Sequence, residues 1–253
     1  MEVKNNEKEK KEKKEKKEKK EKKEKNEKEK NEKEKNEKEK NEKEKREKEK
    51  DYVVLSIDVG VIHLGLSVSI LNHDYTLKEI IWVDNIDITS YEHRSCSQKD
   101  CKLYHTRMFS DWIDHMCQEN HIFFDSADYI LIEKQPPVGF VVVEQLLFHK
   151  YRNKTVIISP RSVHNYLNIG SFDYEGRKQL SEKIADRVLP PQLIEQTMMY
   201  DRRHDISDSI CILLYFMNKK QTEWKRKEMR KNLHKDQDGL DVFEKLELYR
   251  FLN

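Results

Sequence analysis

The stretch YVVLSID, residues 52–58, is a run of β-branched and other apolar residues that ends in an aspartate and is followed by Gly60. This composition predicts a buried β-strand that stops at a glycine turn. The apolar stretches at residues 64–71 and 78–83 predict a second and a third strand. Because the connections between these three strands are too short to contain helices, we expect an antiparallel meander.

Beyond this meander, strand patterns alternate with helix patterns. Residues 129–133 (YILIE) and 154–159 predict two further buried strands. The spacing of apolar residues predicts helices over residues 104–120, 140–151, 162–167, 175–189, 205–217 and 240–252. Three meandering strands followed by strands that alternate with helices predict an α/β layered domain with a mixed five-stranded sheet flanked by helices.

The first 50 residues of this 253-residue chain have a different composition. They hold 24 Lys and Arg against 18 Asp and Glu, and only two apolar side chains, Met1 and Val3. Such a segment cannot bury enough apolar surface to offset the entropy of ordering, so we expect a disordered coil or a solvated single helix. A low-complexity expansion without a specific role is the simpler interpretation, and an arm of net charge +6 that attracts phosphates is the alternative.

The sequence therefore predicts three regions: a Lys/Glu tail (1–50), one globular domain (51–218) and a basic helical extension (219–253). The extension contains a cluster of Lys and Arg from Lys219 to Lys235. A solvated helical face is the simpler interpretation of this cluster, and contact with a DNA backbone is the alternative.

Composition also excludes some classes of protein. The chain has no run of 18 apolar residues, and it starts with Lys and Glu rather than with a secretion signal, so we expect neither a membrane span nor secretion. In an intracellular chain the four cysteines should be reduced thiols. All 6 glycines and 5 prolines, and nearly all hydrophobic residues, lie beyond residue 50, which excludes a fibrous or wholly disordered protein.

Four acidic residues stand where strands end or where a helix begins. Asp58 closes the first strand, Glu133 closes the strand YILIE, and Asp205 and Asp208 are three residues apart at a predicted helix start. Carboxyl ends of strands face the ligand crevice in such sheets, and residues three apart share one helix face. Each acid alone has a simpler explanation, as a turn former or a helix cap. Together they predict a site for hard divalent cations that activate a water and stabilise a leaving oxygen in phosphodiester hydrolysis.

Four short motifs carry a family resemblance: SIDVGVIHLG (56–65), LIEKQP (131–136), IISP (157–160) and HDISDS (204–209). They resemble the RuvC-like Holliday junction resolvases, above all the branch of poxviruses, iridoviruses and other large DNA viruses of eukaryotes. The resemblance covers about residues 52–218. It implies an RNase H-like fold, a homodimer, and magnesium-dependent cutting of two symmetry-related strands of a four-way DNA junction.

Carried over motif by motif, the acidic residues of this family correspond to Asp58, Glu133, Asp205 and Asp208. They would hold two Mg²⁺ ions, with Mn²⁺ as a substitute. Two positions depart from the family: His63 stands where Asn is frequent, and His204 where Lys or Asp is common. Neither change removes an acid, so we expect activity to be retained. By analogy, the protein would act inside the cell where viral DNA is processed, in a cytoplasmic factory or in the nucleus.

Basic and aromatic residues near the acids are candidate DNA contacts. Lys134 would hold the scissile phosphate if the chain turns there, and His204 would polarise the water or the phosphate. Phe140 would insert between bases at the branch point, where unstacking favours an already open junction. The simpler alternatives are the opposite strand face for Lys134, a surface position for His204 and core packing for Phe140. Further candidate phosphate contacts are Arg161, Arg202 and Arg203.

Two other hypotheses remain open at this stage. A less selective nuclease for flaps, branches or RNA–DNA hybrids would use the same acids, and a degenerate core could bind branched DNA without cutting it. A separate polar loop contains a candidate zinc set, His93, Cys96, Cys101 and His105. Its spacing differs from that of paired-cysteine fingers, so a loop without metal is the simpler interpretation. Cys117 and Cys211 lie in apolar helices, and we expect them in the core.

Overall fold

The fold is described from a computed structural model, which covers residues 50–91, 103 and 106–235, with the backbone alone for 231–235. The predicted tail up to residue 49, the candidate zinc residues and the predicted helix 240–252 lie outside the described residues. These predictions therefore stay predictions.

Five strands form one sheet. They are β1 (Tyr52–Asp58), β2 (Leu64–Leu71), β3 (Leu77–Ile86), β4 (Tyr129–Glu133) and β5 (Thr155–Ile158). Their order across the sheet is β3-β2-β1-β4-β5. The first three strands pair antiparallel, whereas β1, β4 and β5 run parallel. This mixed sheet with an antiparallel meander at one side is the RNase H-like arrangement, so the predicted fold class is confirmed.

Helices cover both faces of the sheet. A short 3-10 helix (Ile88–Tyr91) follows β3, and the α-helices are α1 (Phe109–Glu119), α2 (His121–Ser126), α3 (Val141–Lys150), α4 (Pro160–Leu167), α5 (Tyr174–Ala185), α6 (Pro191–Thr197) and α7 (Arg203–Lys235). No helix in the described part of the chain is both long enough and apolar enough to span a membrane.

The core consists of two apolar layers, one on each face of the sheet, because side chains alternate along a strand. Leu55 and Ile57 of β1 face the layer that includes α1, α2 and α3. Val54 of β1 faces the other layer, to which α4, α5 and α7 contribute. Cys117 and Cys211 are buried free thiols, one in each layer, as predicted.

Small side chains allow α7 to pack closely on the central strands. Ser56 of β1 and Ser67 of β2 are fully buried and face each other in the strand register. The hydroxyl of Ser209 in α7 donates to the Oγ atom of Ser67 over 3.0 Å. Because these serines leave room for the helix backbone, the start of α7 lies over the carboxyl end of β1.

Some boundaries differ from those predicted. The helix predicted over 175–189 ends at Ala185, and Pro191 opens α6, a helix that sequence patterns did not indicate. Proline suits the first turn of a helix because the amide it lacks has no partner there. The helix predicted over 104–120 begins at Phe109. The helix predicted over 205–217 and the basic cluster 219–235, also predicted to be helical, form one continuous helix, α7. The predicted domain division after residue 218 falls inside α7 and stays a prediction.

Candidate active site

Three of the predicted acids converge at one end of the sheet. Asp58 ends β1, the central strand, while Asp205 and Asp208 lie in the first two turns of α7. Each offers a carboxylate oxygen, and these oxygens lie within 4.8 Å of one another. Asp58 is paired in the register with Gly65 of β2, and the backbone of Gly65 contacts the backbone of Asp205. The glycine therefore allows α7 to bring its acids up to Asp58.

The fourth predicted acid, Glu133, lies beside this group. It ends β4, which runs parallel to β1 with Ile132 opposite Ile57. The carboxyl groups of Asp58 and Glu133 are close enough to change each other's pKa. The Nε2 atom of Gln135 also donates to Oε2 of Glu133 over 2.9 Å. The structure thus brings all four acids together, with Glu133 joined to the group through Asp58.

Negative charge in this group is only partly compensated. Burial raises the pKa of Asp58 well above its ordinary value, and repulsion from Glu133 and Asp208 raises it further. The pKa of Glu133 is also raised, and burial is the largest cause. The Asp58 side chain acts in the opposite direction and lowers the pKa of Glu133, but burial outweighs it. Raised carboxyl pKa values on neighbouring groups are typical of sites that hold an additional cation or proton.

The donor set fits a hard divalent cation such as Mg²⁺ or Mn²⁺. All the converging groups are carboxylates, which such ions prefer over nitrogen or sulfur ligands. The Oδ2 atom of Asp205 is buried and accepts no hydrogen bond, although Arg202 Nε lies 3.1 Å away as an ionic neighbour. A metal ion that bound this buried oxygen would share it with the Arg202 guanidinium group. Asp58, Asp205 and Asp208 are therefore the residues that could hold it.

A lysine that sequence patterns did not indicate also belongs to the site. Lys178 of α5 places its Nζ atom 2.5 Å from Oδ2 of Asp208 and 3.9 Å from Oδ1 of Asp205. Burial opposes its charge, but attraction and hydrogen bonding to Asp208 outweigh burial and raise the pKa of Lys178. The ammonium group also lies over the ring of Tyr174, 5.4 Å from its centroid. Lys178 is thus a cation held against two of the acids.

A cleft of about 440 Å³ opens in front of the acids. Its lining includes Asp58, Asp205, Lys178 and the turn from Gly60 to His63. Phe140, the predicted base contact, also lines this cleft and keeps 48% of its surface exposed. An exposed aromatic ring beside the acids is able to stack on a base.

The other candidate DNA contacts lie in different surroundings. Lys134 is exposed, and its amide donates to Ile158 O over 2.8 Å, so the strand pairing continues past Glu133. His204 places Nε2 3.3 Å from Oδ1 of Asp205, and its pKa is lowered, first by burial. Arg161 lines a separate groove on α4.

Two arginines flank the start of α7 in different ways. Arg202 lines the cleft and lies against Asp205. Arg203 forms an ion pair with Asp186 and donates from Nε to Oγ1 of Thr197 over 3.0 Å, with 16% of its side chain exposed. The structure therefore places Arg203 in an internal ion pair, whereas Arg202 faces the acids. The roles in DNA binding predicted for these residues stay predictions.

Neither a family model nor a curated protein sequence matches this chain. Solved structures do resemble it. The fowlpox virus resolvase, solved with substrate Holliday junction DNA, has a TM-score of 0.47 and 16% identity, and the match covers 66% of this chain and 97% of that chain. The yeast mitochondrial Holliday junction resolvase Ydc2 has a TM-score of 0.48 and 20% identity, with 68% and 81% covered.

A third similar structure is RuvC of Thermus thermophilus, with a TM-score of 0.40, 14% identity, and coverage of 64% of this chain and 92% of that one. The strand order and pairing described above, rather than these similarities, define the described domain as RNase H-like.

Proposed function

We propose that this protein is a metal-dependent endonuclease that cuts branched DNA, with the four-way junction as its preferred substrate. The observation that carries the proposal is the convergence of Asp58, Asp205 and Asp208 at the carboxyl end of the sheet, with Glu133 near enough to raise the pKa of Asp58. Four carboxyl groups from three separate elements have no structural reason to meet, since their mutual repulsion costs stability. Binding of divalent cations offsets that cost.

Each residue of the site has a part in the proposed mechanism. Asp58, Asp205 and Asp208 would bind Mg²⁺, and Glu133 would complete the ligand set while Gln135 holds its carboxylate in place. When bound, the ions supply electrostatic stabilisation of the attacking and leaving oxygens. Lys178, on the cleft side of Asp208, would attract the scissile phosphate and orient it toward the acids. His204 would hold Asp205 in its position.

Preference for a junction requires recognition of shape in addition to chemistry. Phe140 beside the acids would contact a base at the branch point, where bases unstack at low cost. A homodimer would present two such sites at a distance fixed by its symmetry axis, so that two strands of one junction are cut symmetrically. The motif resemblance in residues 56–65, 131–136, 157–160 and 204–209 favours this substrate over a flap or an RNA–DNA hybrid. Action at the site of viral DNA processing stays a prediction from the same resemblance.

Incubation with a synthetic four-way junction and Mg²⁺ tests the proposal. We expect paired nicks at symmetric positions in the wild type, and their loss in Asp58→Asn and after chelation. Asp114→Asn is the matched control, because Asp114 is a surface residue paired with Lys150 on α3. It should cut like the wild type.

Other results of this experiment would contradict the proposal. Random cutting of linear duplex would indicate a less selective nuclease on the same core. Tight binding of the junction without any cutting would indicate a DNA-binding protein that has no catalytic activity. If Asp114→Asn lost junction cutting as fully as Asp58→Asn, the loss would not be specific to the converging acids, and their catalytic role would be contradicted.

A further inference from the structure

Basic and polar residues continue away from the acids along α4. His164 of α4 is close enough to Asp208 and Lys178 to interact with both electrostatically. Together with Arg161, it lines a groove of about 730 Å³ that also includes Asn165. His164 therefore places this groove within electrostatic range of the candidate active site, and its lining includes groups that donate hydrogen bonds.

A second groove lies at the beginning of α4. It has a volume of about 260 Å³ and is lined by Ser159, Ser162, Tyr215 and Lys219, among others. Each groove has a lining residue in the first turn of α4, Arg161 in the first and Ser162 in the second. The second groove has a mixed lining, in which Ile158 and Phe216 lie beside the polar groups, and it reaches from α4 to α7.

Near Lys219 the side chains of α7 change from largely buried to largely exposed. Up to Met217 the helix contributes buried residues to the core, whereas none of its described side chains from residue 218 to residue 230 is buried. Lys219 and Arg226 are both exposed and lie seven residues apart, on the same face of the helix. A helical segment without an apolar stripe is not held by a protein core. Its composition therefore calls for a charged partner or solvent.

Not every cation near this surface is available. Lys220 places its ammonium group over the rings of Tyr129 and Phe216, at 5.6 Å and 5.8 Å from their centroids. It also lies 3.4 Å from Oε2 of Glu223, the acid that lines the second groove. Lys220 thus fixes α7 to the sheet and neutralises Glu223, which leaves Arg161 and Lys219 as the available cations of the two grooves.

We propose that Arg161, Lys219 and Arg226 form a basic track that binds the phosphate backbone of one duplex arm of the DNA substrate, with His164 as a hydrogen-bonding neighbour. This inference rests on the proposed function, because the groove that contains Arg161 lies within electrostatic range of the candidate active site. Arg226 follows Asp208 by 18 residues on one helix, which corresponds to about 27 Å at about 1.5 Å per residue. At about 3.4 Å per base pair, Arg226 would reach the phosphates about 8 base pairs from the cut.

This distance makes the inference testable by the length of the DNA arm. Full-length protein with Asp58→Asn, which should bind without cutting, is titrated with junctions whose hairpin-capped arms are about 6 or about 15 base pairs long. Arg226→Gln should weaken binding of the long-armed junction about fivefold near 0.1 M salt, with a salt slope smaller by about 1. Binding of the short-armed junction should not change. Fluorescence anisotropy measures both.

Arg152→Gln provides the matched control. Arg152 is also an exposed arginine, but it follows α3 on the opposite face of the sheet and lies over the Phe148 ring. It should bind both junctions like the parent protein. Lys219→Gln should weaken both junctions, because it lies about 16 Å from Asp208 and within the reach of a short arm.

The outcomes separate this inference from the proposed function. Equal losses for Arg226→Gln on long and short arms, or no loss on either, would overturn the basic track even if the wild type cuts junctions. Arm-length dependence in a wild type that never cuts would support the track and overturn the proposed catalysis. A loss for Arg152→Gln equal to that for Arg226→Gln would mean that net charge, rather than this surface, determines binding.

Discussion

The backbone of Gly65 in β2 lies directly against the main-chain carbonyl group of Asp205 in α7. A β-carbon at residue 65 would overlap the Asp205 carbonyl carbon and oxygen, so only glycine permits this approach. Gly65 also pairs with Asp58 in the sheet register. One residue therefore sets the distance between the strand that carries Asp58 and the helix that carries the other two converging acids.

Replacing Gly65 by alanine should push the start of α7 away from the sheet. We expect a loss of about 1–3 kcal/mol in the free energy of unfolding, as for other overpacked positions. We also expect weaker metal binding, because Asp205 moves with the helix backbone. Urea denaturation and titration with Mn²⁺ measure the two effects.

Gly170→Ala is the matched control for this change. A β-carbon there would meet its nearest atoms, Asn165 Oδ1 and His164 Cβ, at 3.7 Å, which is ordinary van der Waals contact. Its free energy of unfolding should stay close to that of the wild type. Equal losses at Gly65 and Gly170 would show that the close approach to Asp205 has no special cost.

The four acids were predictable because each lies in a local pattern. Asp58 and Glu133 end apolar strands, and Asp205 and Asp208 have the spacing of one helix face. The parallel pairing of β1 and β4 then brings two strand ends to the same edge of the sheet. Local periodicity and a simple rule of topology were therefore sufficient to bring these residues together.

Lys178 was not predictable in this way. It lies in α5, whose residues around it show no motif, and it reaches Asp208 only because α5 packs beside α7. The ion pair of Arg203 with Asp186 also depends on that packing, since Asp186 follows the end of α5. Contacts between two helices that are distant in sequence leave no spacing signal. A basic residue near the start of a predicted helix is common in proteins, so it does not by itself indicate an active-site role.

Asp58→Asn should stabilise the metal-free protein at neutral pH. The pKa of Asp58 is raised by burial and by Glu133 and Asp208. A carboxyl group with a raised folded-state pKa stabilises the fold fully below its unfolded-state pKa, and this stability is lost as the pH rises through the folded-state pKa. In chelator, the wild-type unfolding midpoint should therefore fall as the pH rises across this window. Asparagine stays neutral, so the fall should be smaller in the variant.

Urea denaturation at a series of pH values measures this difference. Part of the pH dependence should persist in Asp58→Asn, because the pKa of Glu133 is raised as well. Asp114→Asn, on the surface, should follow the wild type at every pH. A metal-free Asp58→Asn protein that is less stable than the wild type at neutral pH would contradict the repulsion inferred among the acids.

Lys178→Met should destabilise the metal-free protein and make its stability depend more strongly on Mg²⁺. The lysine is the positive charge in contact with Asp208, and both side chains are mostly shielded from solvent, with 18% and 27% exposed. Removing it leaves Asp208 without its ion-pair partner, at a cost of about 1–3 kcal/mol. Added Mg²⁺ supplies positive charge at the same acids, so it should raise the melting temperature more in the variant than in the wild type.

Lys183→Met, an exposed position on the same helix, is the control for Lys178→Met. Its melting temperature should stay close to the wild-type value with and without Mg²⁺, since surface substitutions change stability by about 0.5 kcal/mol or less. If Mg²⁺ raised the melting temperature of Lys178→Met no more than that of Lys183→Met, Lys178 and the metal ion would not compensate the charge of the same acids.

Phe140→Ala should reduce the preference for junctions over linear duplex without affecting the fold. The ring is 48% exposed and lines the cleft with Asp58, so its truncation removes little core packing. Stacking on a base contributes about 1–3 kcal/mol, which corresponds to a loss of about fivefold to about 150-fold in junction affinity. A junction with 2-aminopurine at the branch point should become more fluorescent when the wild type binds, because the base leaves its stack. Binding of Phe140→Ala should not give this increase. Phe172→Ala has the same exposed fraction outside this cleft, and an equal loss there would contradict a specific role for Phe140.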